Sequence, residues 1–200
     1  MSEKEVEKFV NFCNTQFGKE LMKREAKIIE DSLNKCDRAL SIGCGIGSIG
    51  NRINKWKIFY LDSSPQMIAE AKKRVEGPLI LANAEMMPFK EKSFDCIYSV
   101  TSLEFIEKPK KVIYEASKIL TSKGRFFAMM LNPRSEYFKS HAERDKSYFR
   151  KIKHHPKIIE KHMAKYFSTE SRYILGIEKE RIFETENPEK ASLYVVKGKK

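Results

Sequence analysis

Ala39-Leu40-Ser41-Ile42-Gly43-Cys44-Gly45-Ile46-Gly47-Ser48-Ile49-Gly50 decides the fold of this 200-residue chain. A short apolar run leads into four glycines within eight residues. Glycine admits positive φ and lets a ligand reach the main chain where a Cβ would clash. An apolar strand turning through glycines predicts a nucleotide-type site, with a helix over Gly47–Asn54 offering its N-terminus to the ligand.

The chain outward from this loop alternates. Two helices precede it: one from a Ser2/Glu5 capping box through Phe17, the other over Lys19–Leu33 with Met22, Ala26, Ile29 and Leu33 on one stripe, Gly18 separating them. Strands are expected at Arg38–Ile42, Lys57–Leu61, Pro78–Ala82, Phe94–Val100 and Gly124–Leu131. The helices between them start at Ser64-Pro65 and span Pro109–Leu120. This rhythm means a mostly parallel sheet with helices on both faces. After Pro133 it breaks into two basic, aromatic-laced helices, Ser135–Ile152 and Pro156–Phe167. Strands near Tyr173–Phe183 and Ser192–Val196 then close the chain as an antiparallel hairpin.

Composition narrows the function. The net charge is +12, and Arg134–Arg172 holds eleven Lys/Arg against five Asp/Glu, a net +6 in a fifth of the chain. That stretch is either a solvated face or an attractor for an anionic substrate or nucleic acid. No apolar run approaches the ~20 residues of a membrane span, and the mixed-charge Met1–Glu5 is unlike a signal peptide. The scattered Cys13, Cys36, Cys44 and Cys96 suit a reducing cytoplasm. His141, His154, His155 and His162 match no ligand spacing, so no metal is expected.

Gly45-x-Gly47-x-x-Gly50 matches a dinucleotide fingerprint literally, but the glycine directly after the strand is Gly43, which puts Ser48 at the third position. By Leu131 the parallel strands are also exhausted, too early for a second nucleotide half and a substrate domain. A mononucleoside-sized ligand with a charged tail fits the length.

Four segments in order then carry a resemblance. Leu40-Ser41-Ile42-Gly43-Cys44-Gly45-Ile46-Gly47, Leu61-Asp62-Ser63-Ser64-Pro65-Gln66-Met67, Asn83-Ala84-Glu85-Met86-Met87-Pro88-Phe89 with Ser93-Phe94-Asp95-Cys96-Ile97, and Val112–Phe126 with its Lys123-Gly124-Arg125 turn resemble the motifs of class I S-adenosylmethionine-dependent methyltransferases. The likeness runs from Leu40 to Leu131, to the small-molecule enzymes grouped with ubiquinone biosynthesis. It implies a Rossmann-like α/β fold, a mostly parallel seven-stranded sheet ending in the antiparallel hairpin. The parts would be a helical cap (1–36), a cofactor core (37–132), a basic lid (133–170) and the hairpin (171–200).

The resemblance also implies site residues. Ser41, Gly43, Cys44, Gly45 and Gly47 would lie against the methionine part of S-adenosylmethionine, and Asp62, with Ser63 beside it, would accept the ribose hydroxyls. Asn83 and the amides of Ala84 and Glu85 would meet adenine, and Met67 would pack on adenine or ribose, or serve as core. Ser99 to Ser102, Thr101 included, would line the ammonium and sulfonium. Ser41 stands where the family has an acid, so cofactor affinity falls or another carboxylate substitutes. Glu104 would point to where methyl and acceptor meet, as a base, as an attractor for a cation, or simply as a helix-end carboxylate. The expected reaction is methyl transfer to a small anionic or aromatic molecule, leaving S-adenosylhomocysteine. RNA is the second acceptor, and a non-catalytic S-adenosylmethionine-binding protein is the remaining alternative.

Overall fold

The computed structural model describes residues 3–144 and 147–200. Ser2 of the expected capping box lies outside the described residues. Helices α1 (Glu3–Asn14) and α2 (Gln16–Ser32) open the chain. The break between them falls at Thr15, whose hydroxyl accepts from the Gly18 amide and caps α2, and not at Gly18. Gly18 lies within α2 because a Cβ there would sit 2.1 Å from the Phe12 carbonyl oxygen, so only glycine lets α1 fold back this closely.

Strands β1 (Arg38–Ile42), β2 (Lys57–Asp62), β3 (Leu79–Leu81), β4 (Phe94–Val100) and β5 (Leu120–Leu131) alternate with α3 (Pro65–Ala71) and α4 (Pro109–Ile119). Ser64 caps α3 and Pro65 opens it, as the sequence predicts. Then come α5 (Glu136–Ala142), α6 (Pro156–Met163), β6 (Ser168–Glu178), β7 (Arg181–Phe183) and β8 (Ala191–Lys199). The sheet order is β3-β2-β1-β4-β5-β8-β6-β7, parallel through β5 and antiparallel from β8 onward.

The two faces bury different partners. Leu40, Ile42, Ile97, Phe126 and Ala128 pack under Val112, Ile113 and Ala116 of α4 and Ile159 and Met163 of α6. On the other face Ala39, Tyr60, Tyr98, Phe127 and Val195 pack with Ala26 and Ile29 of α2 and with Leu33, its C-cap. Burial on both faces explains why these strands read as continuous apolar runs.

Four further expectations are corrected. The helix over Gly47–Asn54 is instead a set of turns with one 3-10 turn, Gly50–Arg52. Gly47, Gly50, Asn51 and Asn54 are weak helix formers, and Gly47 sits at φ +76° with its Cα turned onto Val75. Ser135–Ile152 is α5 followed by a separate 3-10 turn, Tyr148–Lys151. The single strand over Tyr173–Phe183 divides into β6 and β7 at Lys179-Glu180, both with positive φ, which adds an eighth strand to the sheet. Strand β5 starts at Leu120, straight after α4, four residues before Gly124.

Candidate functional site

The carboxyl ends of β1, β2 and β4 open into one cavity of about 1010 Å³, walled by α1, α2 and α5 and by the Tyr148–Lys151 turn. Ligand sites in open α/β sheets lie at these strand ends. The glycine loop forms its floor. Gly43 and Cys44 donate their amides to the Leu61 carbonyl, Gly45 donates to Asp62 Oδ2 at 2.9 Å, and Gly47 donates to the Cys44 carbonyl. Four loop amides are thus engaged inside the protein, and no α-helix begins there. The loop is a preformed cradle, not the amide nest that a phosphate needs. Gly43 is required: it sits at φ +66°, and a Cβ would fall 1.9 Å from Ser102 Oγ.

Asp62 ends β2 with its second oxygen, Oδ1, accepting from the Ser64 amide at 2.9 Å. Each carboxylate oxygen takes one internal donor, so each keeps a lone pair for a ligand hydroxyl. Asn83 Oδ1 accepts from the Glu85 amide at 2.8 Å, which engages one of the two amides expected to face adenine and leaves that of Ala84. Cys44 lines the floor as a thiol, its pKa pushed up by burial and by the Asp62 charge. Thr101, a β-branched residue at φ +42°, marks strain at the rim where β4 ends.

Of the residues singled out from sequence, Ser41, Gly43, Cys44, Gly45, Asp62, Ser63, Met67, Asn83, Ala84, Glu85 and Thr101 line this cavity. Gly47, Ser99 and Glu104 do not. Gly47 is turned onto Val75. Ser99 lies on the opposite face of β4 from the cavity-lining Tyr98 and Val100, because side chains alternate along a strand. Glu104 is fully buried behind the wall. Its Oε1 accepts from the Leu131 amide at 2.9 Å, and its carbonyl accepts from the Lys153 and His154 amides. It therefore ties the end of β4 to β5 and to the base of the lid. Burial raises its carboxyl to about 7 against the pull of the Leu131, Glu104 and Ser102 amides.

The cavity also holds residues that the sequence left unnoticed. Glu25 of α2 lines it at 3% exposure, with its carboxyl raised to about 8 by desolvation. The signal was present: Glu25 interrupts the Met22–Ala26–Ile29 stripe, on the face of α2 that turns inward. Tyr137 and His141 of α5 stack at 4.2 Å and meet Phe149, while Phe105 and Tyr148 meet at 4.4 Å. This aromatic roof is tied down by two ion pairs, Lys151 with Glu5 of α1 and Lys153 with Glu107. Three of the four histidines hold separate local roles: His141 on the Tyr137 carbonyl, His154 on that of Glu107, and His155 as the cap of α6.

A family model described as a methyltransferase domain matches residues 40–128, the span that builds this floor. The match takes in a little under half of the chain, from β1 into β5, and marks its resemblance to methyltransferase domains. Its fold is shared by a solved S-adenosylmethionine-dependent methyltransferase of Thermotoga maritima, with a TM-score of 0.79 and 20% identity over 98% of this chain and 96% of that one. Another from Archaeoglobus fulgidus superposes with a TM-score of 0.75 and 15% identity, over 96% and 99% of the two chains. In sequence the chain is 33% identical over 108 residues to an uncharacterised protein of Methanocaldococcus jannaschii, covering 54% of this chain and 42% of that protein. It is 28% identical over 102 residues to the demethylmenaquinone methyltransferase of Thermotoga maritima, covering 48% and 44%. The chain spans about half the length of these curated relatives.

S-adenosylmethionine, the cofactor that the sequence resemblance implies, fits the donor set of this cavity. Asp62 keeps acceptor capacity for the ribose, Asn83 and the Ala84 amide suit adenine, and a Cβ on Gly45 would meet only the Phe9 ring at 3.6 Å, so the cradle is open there. Ser41 supplies a hydroxyl but no charge. Among the described residues no helix is long and apolar enough to cross a membrane.

Proposed function

We propose that this chain transfers a methyl group from S-adenosylmethionine to a small aromatic molecule held under the lid. The cofactor supplies an electrophilic methyl on a sulfonium, and the protein's share is alignment and exclusion of water. The glycine loop and Asp62 would fix the nucleoside, while Ser41, Thr101 and Ser102 would border the methionine part. One observation carries the acceptor class: a cavity beside the glycine loop that is roofed by Phe105, Tyr137, Tyr148 and Phe149. Its volume is at the upper end of the ~300–1,000 Å³ usual for small-molecule sites. Room for an acceptor beside the nucleoside follows.

The aromatic acceptor is preferred to an anionic one or to RNA because two of the three lid cations that line the cavity, Lys151 and Lys153, are engaged by Glu5 and Glu107, Arg144 being the third. The division into cap, core, lid and hairpin belongs to this proposal, with residues 133–170 as the lid. So does a cytoplasmic setting, which the four free cysteines support, three of them buried. Thermal unfolding tests the cofactor: S-adenosylhomocysteine should protect and NAD should not. Methyl-labelled cofactor offered with the low-molecular-weight fraction of a cell extract, and separately with total RNA, tests the acceptor. Label in RNA alone would reject the small-molecule reading, and label in neither would favour a protein that binds the cofactor without transferring its methyl.

A further inference from the structure

Among the described residues five carboxylates line the cavity, and four have partners. Glu5 pairs with Lys151, Glu107 pairs with Lys153, Asp62 accepts from the Gly45 and Ser64 amides, and Glu85 accepts from the Lys108 amide. The fifth is Glu25, which has no hydrogen bond or ion pair among the described residues although it is only 3% exposed. Desolvation by burial is what raises its carboxyl. A buried carboxyl without a partner costs several kcal/mol when charged, and such a group in a cavity wall is a functional signature.

We propose that Glu25 is the carboxylate that receives a protonated amine in this cavity, either the α-ammonium of the cofactor or the ammonium of an amine acceptor. For the cofactor arm the proposal rests on the methyltransferase reading; for the acceptor arm it sharpens the aromatic acceptor to an aromatic amine. The wall supplies what an ammonium needs. Glu25 gives the charge, and the aromatic rings of Phe9, Phe12 and Tyr137 border the same space, where a cation is attracted to ring faces. Ser41 on the floor is uncharged, so an ammonium arriving there finds its counter-charge on α2 and not on β1.

The pairing has a proton signature. Glu25 faces Cys13 of α1 and Tyr137 of α5, both of which its charge pushes up, and Lys8, His141 and Arg144 line the same cavity. With its carboxyl near 8, Glu25 is mostly protonated at pH 7. An entering ammonium selects the ionised form, so binding should release about one proton and tighten as pH rises from 6 to 8.

Titration calorimetry on the whole chain separates the two sources. S-adenosylhomocysteine carries the ammonium, and 5′-methylthioadenosine lacks it. Tyramine and 4-ethylphenol differ in the same way and are tested on the S-adenosylhomocysteine-loaded protein. If Glu25 holds the cofactor's ammonium, Glu25→Gln weakens S-adenosylhomocysteine about 10- to 100-fold and leaves 5′-methylthioadenosine unchanged. If it holds the acceptor's, the same variant weakens tyramine and spares both 4-ethylphenol and S-adenosylhomocysteine. Equal affinities of variant and parent for all four overturn the proposal. Failure of the parent to bind S-adenosylhomocysteine rejects the methyltransferase reading instead, and tyramine with the unloaded protein still decides Glu25. Should Glu25→Gln not fold, proton release by the parent, read in buffers of different ionisation enthalpy, decides alone. Its absence for both ammonium ligands overturns the proposal.

Discussion

Gly45 donates its amide to Asp62 Oδ2 at 2.9 Å, so the acid that ends β2 holds the glycine loop that follows β1. With Ser64 donating to Oδ1, one carboxylate fixes both strand-end turns and still offers a lone pair on each oxygen to a ligand. Asp62→Asn replaces one acceptor by an amide that cannot accept, which leaves either the Gly45 or the Ser64 amide unsatisfied. The expected loss is about 2 kcal/mol of stability, or roughly 4–8 °C in Tm for a chain of this size. Asp62→Ala should lose more on both counts and abolish measurable S-adenosylhomocysteine binding. Thermal melts with and without S-adenosylhomocysteine read the two effects together; a variant that melts like the parent would contradict the brace.

Two buried carboxyls set the pH dependence of stability. Glu104 stands at about 7 and Glu25 at about 8, both above the ordinary value of 4.5. A raised carboxyl means that the folded state holds its proton while the unfolded chain has lost it. Stability is therefore fullest below about pH 4.5 for these groups and declines as pH rises to their folded values. Each contributes a few kcal/mol of loss by pH 8. Glu104→Gln keeps an acceptor for the Leu131 amide, removes the charge and should flatten this decline, with S-adenosylhomocysteine affinity within about twofold of the parent. Glu104→Ala strands the Leu131 amide and should cost about 1–3 kcal/mol at every pH. Urea midpoints at pH 5 and pH 8 check both; an unchanged slope in Glu104→Gln would show that the carboxyl titrates normally.

The ends of β1, β2 and β4 were legible in the sequence because each is a largely apolar run that stops at a turn residue: Gly43 after β1, Asp62 with Ser63 after β2, Thr101 after β4. What a turn leads into was less legible. The spacing of Ile46, Ile49 and Ile53 suggests a helix, but Gly47, Gly50 and the two asparagines weaken it, and packing settles the outcome in favour of turns. Gly50 shows why, since a Cβ there would lie 2.3 Å from the Tyr60 ring, a contact made only once β2 is in place. Side-chain direction at strand ends was equally hidden. Ser99 and Glu104 carry suitable chemistry in a suitable segment, and only the pleat of β4 and the turn after it send them away from the cavity. Glu25 could be noticed as a charge on an apolar stripe, but the cavity that it faces is completed by Tyr137 of α5, more than a hundred residues later.

The lid pairs are predicted to matter for access and hardly for stability. Lys151–Glu5 and Lys153–Glu107 are substantially exposed, and exposed ion pairs contribute at most about 1 kcal/mol each. Replacing Lys151 and Lys153 together by Ser should leave Tm within a few degrees while S-adenosylhomocysteine dissociates faster. Raising salt in the parent should move its off-rate the same way. Stopped-flow dissociation at low and high salt tests this, and a parent off-rate indifferent to salt would remove the pairs from the gating of the cavity.

Gly45 and Gly47 sit two residues apart, both with positive φ, +54° and +76°, and should answer to different measurements. Alanine at either position costs about 1–2 kcal/mol for a left-handed backbone. At Gly47 the new Cβ would also fall 2.5 Å from Val75 Cγ1, against the last turn after α3, so the larger loss of stability belongs there. At Gly45 the Cβ meets only the Phe9 ring at 3.6 Å, ordinary contact, but it projects over the cavity floor that the ligand would occupy. Gly47→Ala should therefore melt lower than Gly45→Ala, yet bind S-adenosylhomocysteine nearly as the parent does below its transition. Gly45→Ala should keep most of its stability and lose at least tenfold in affinity. Melting curves and calorimetry on the pair, at a temperature where both are folded, decide it. The reverse ranking would place the ligand against Gly47 and the Val75 side of the loop.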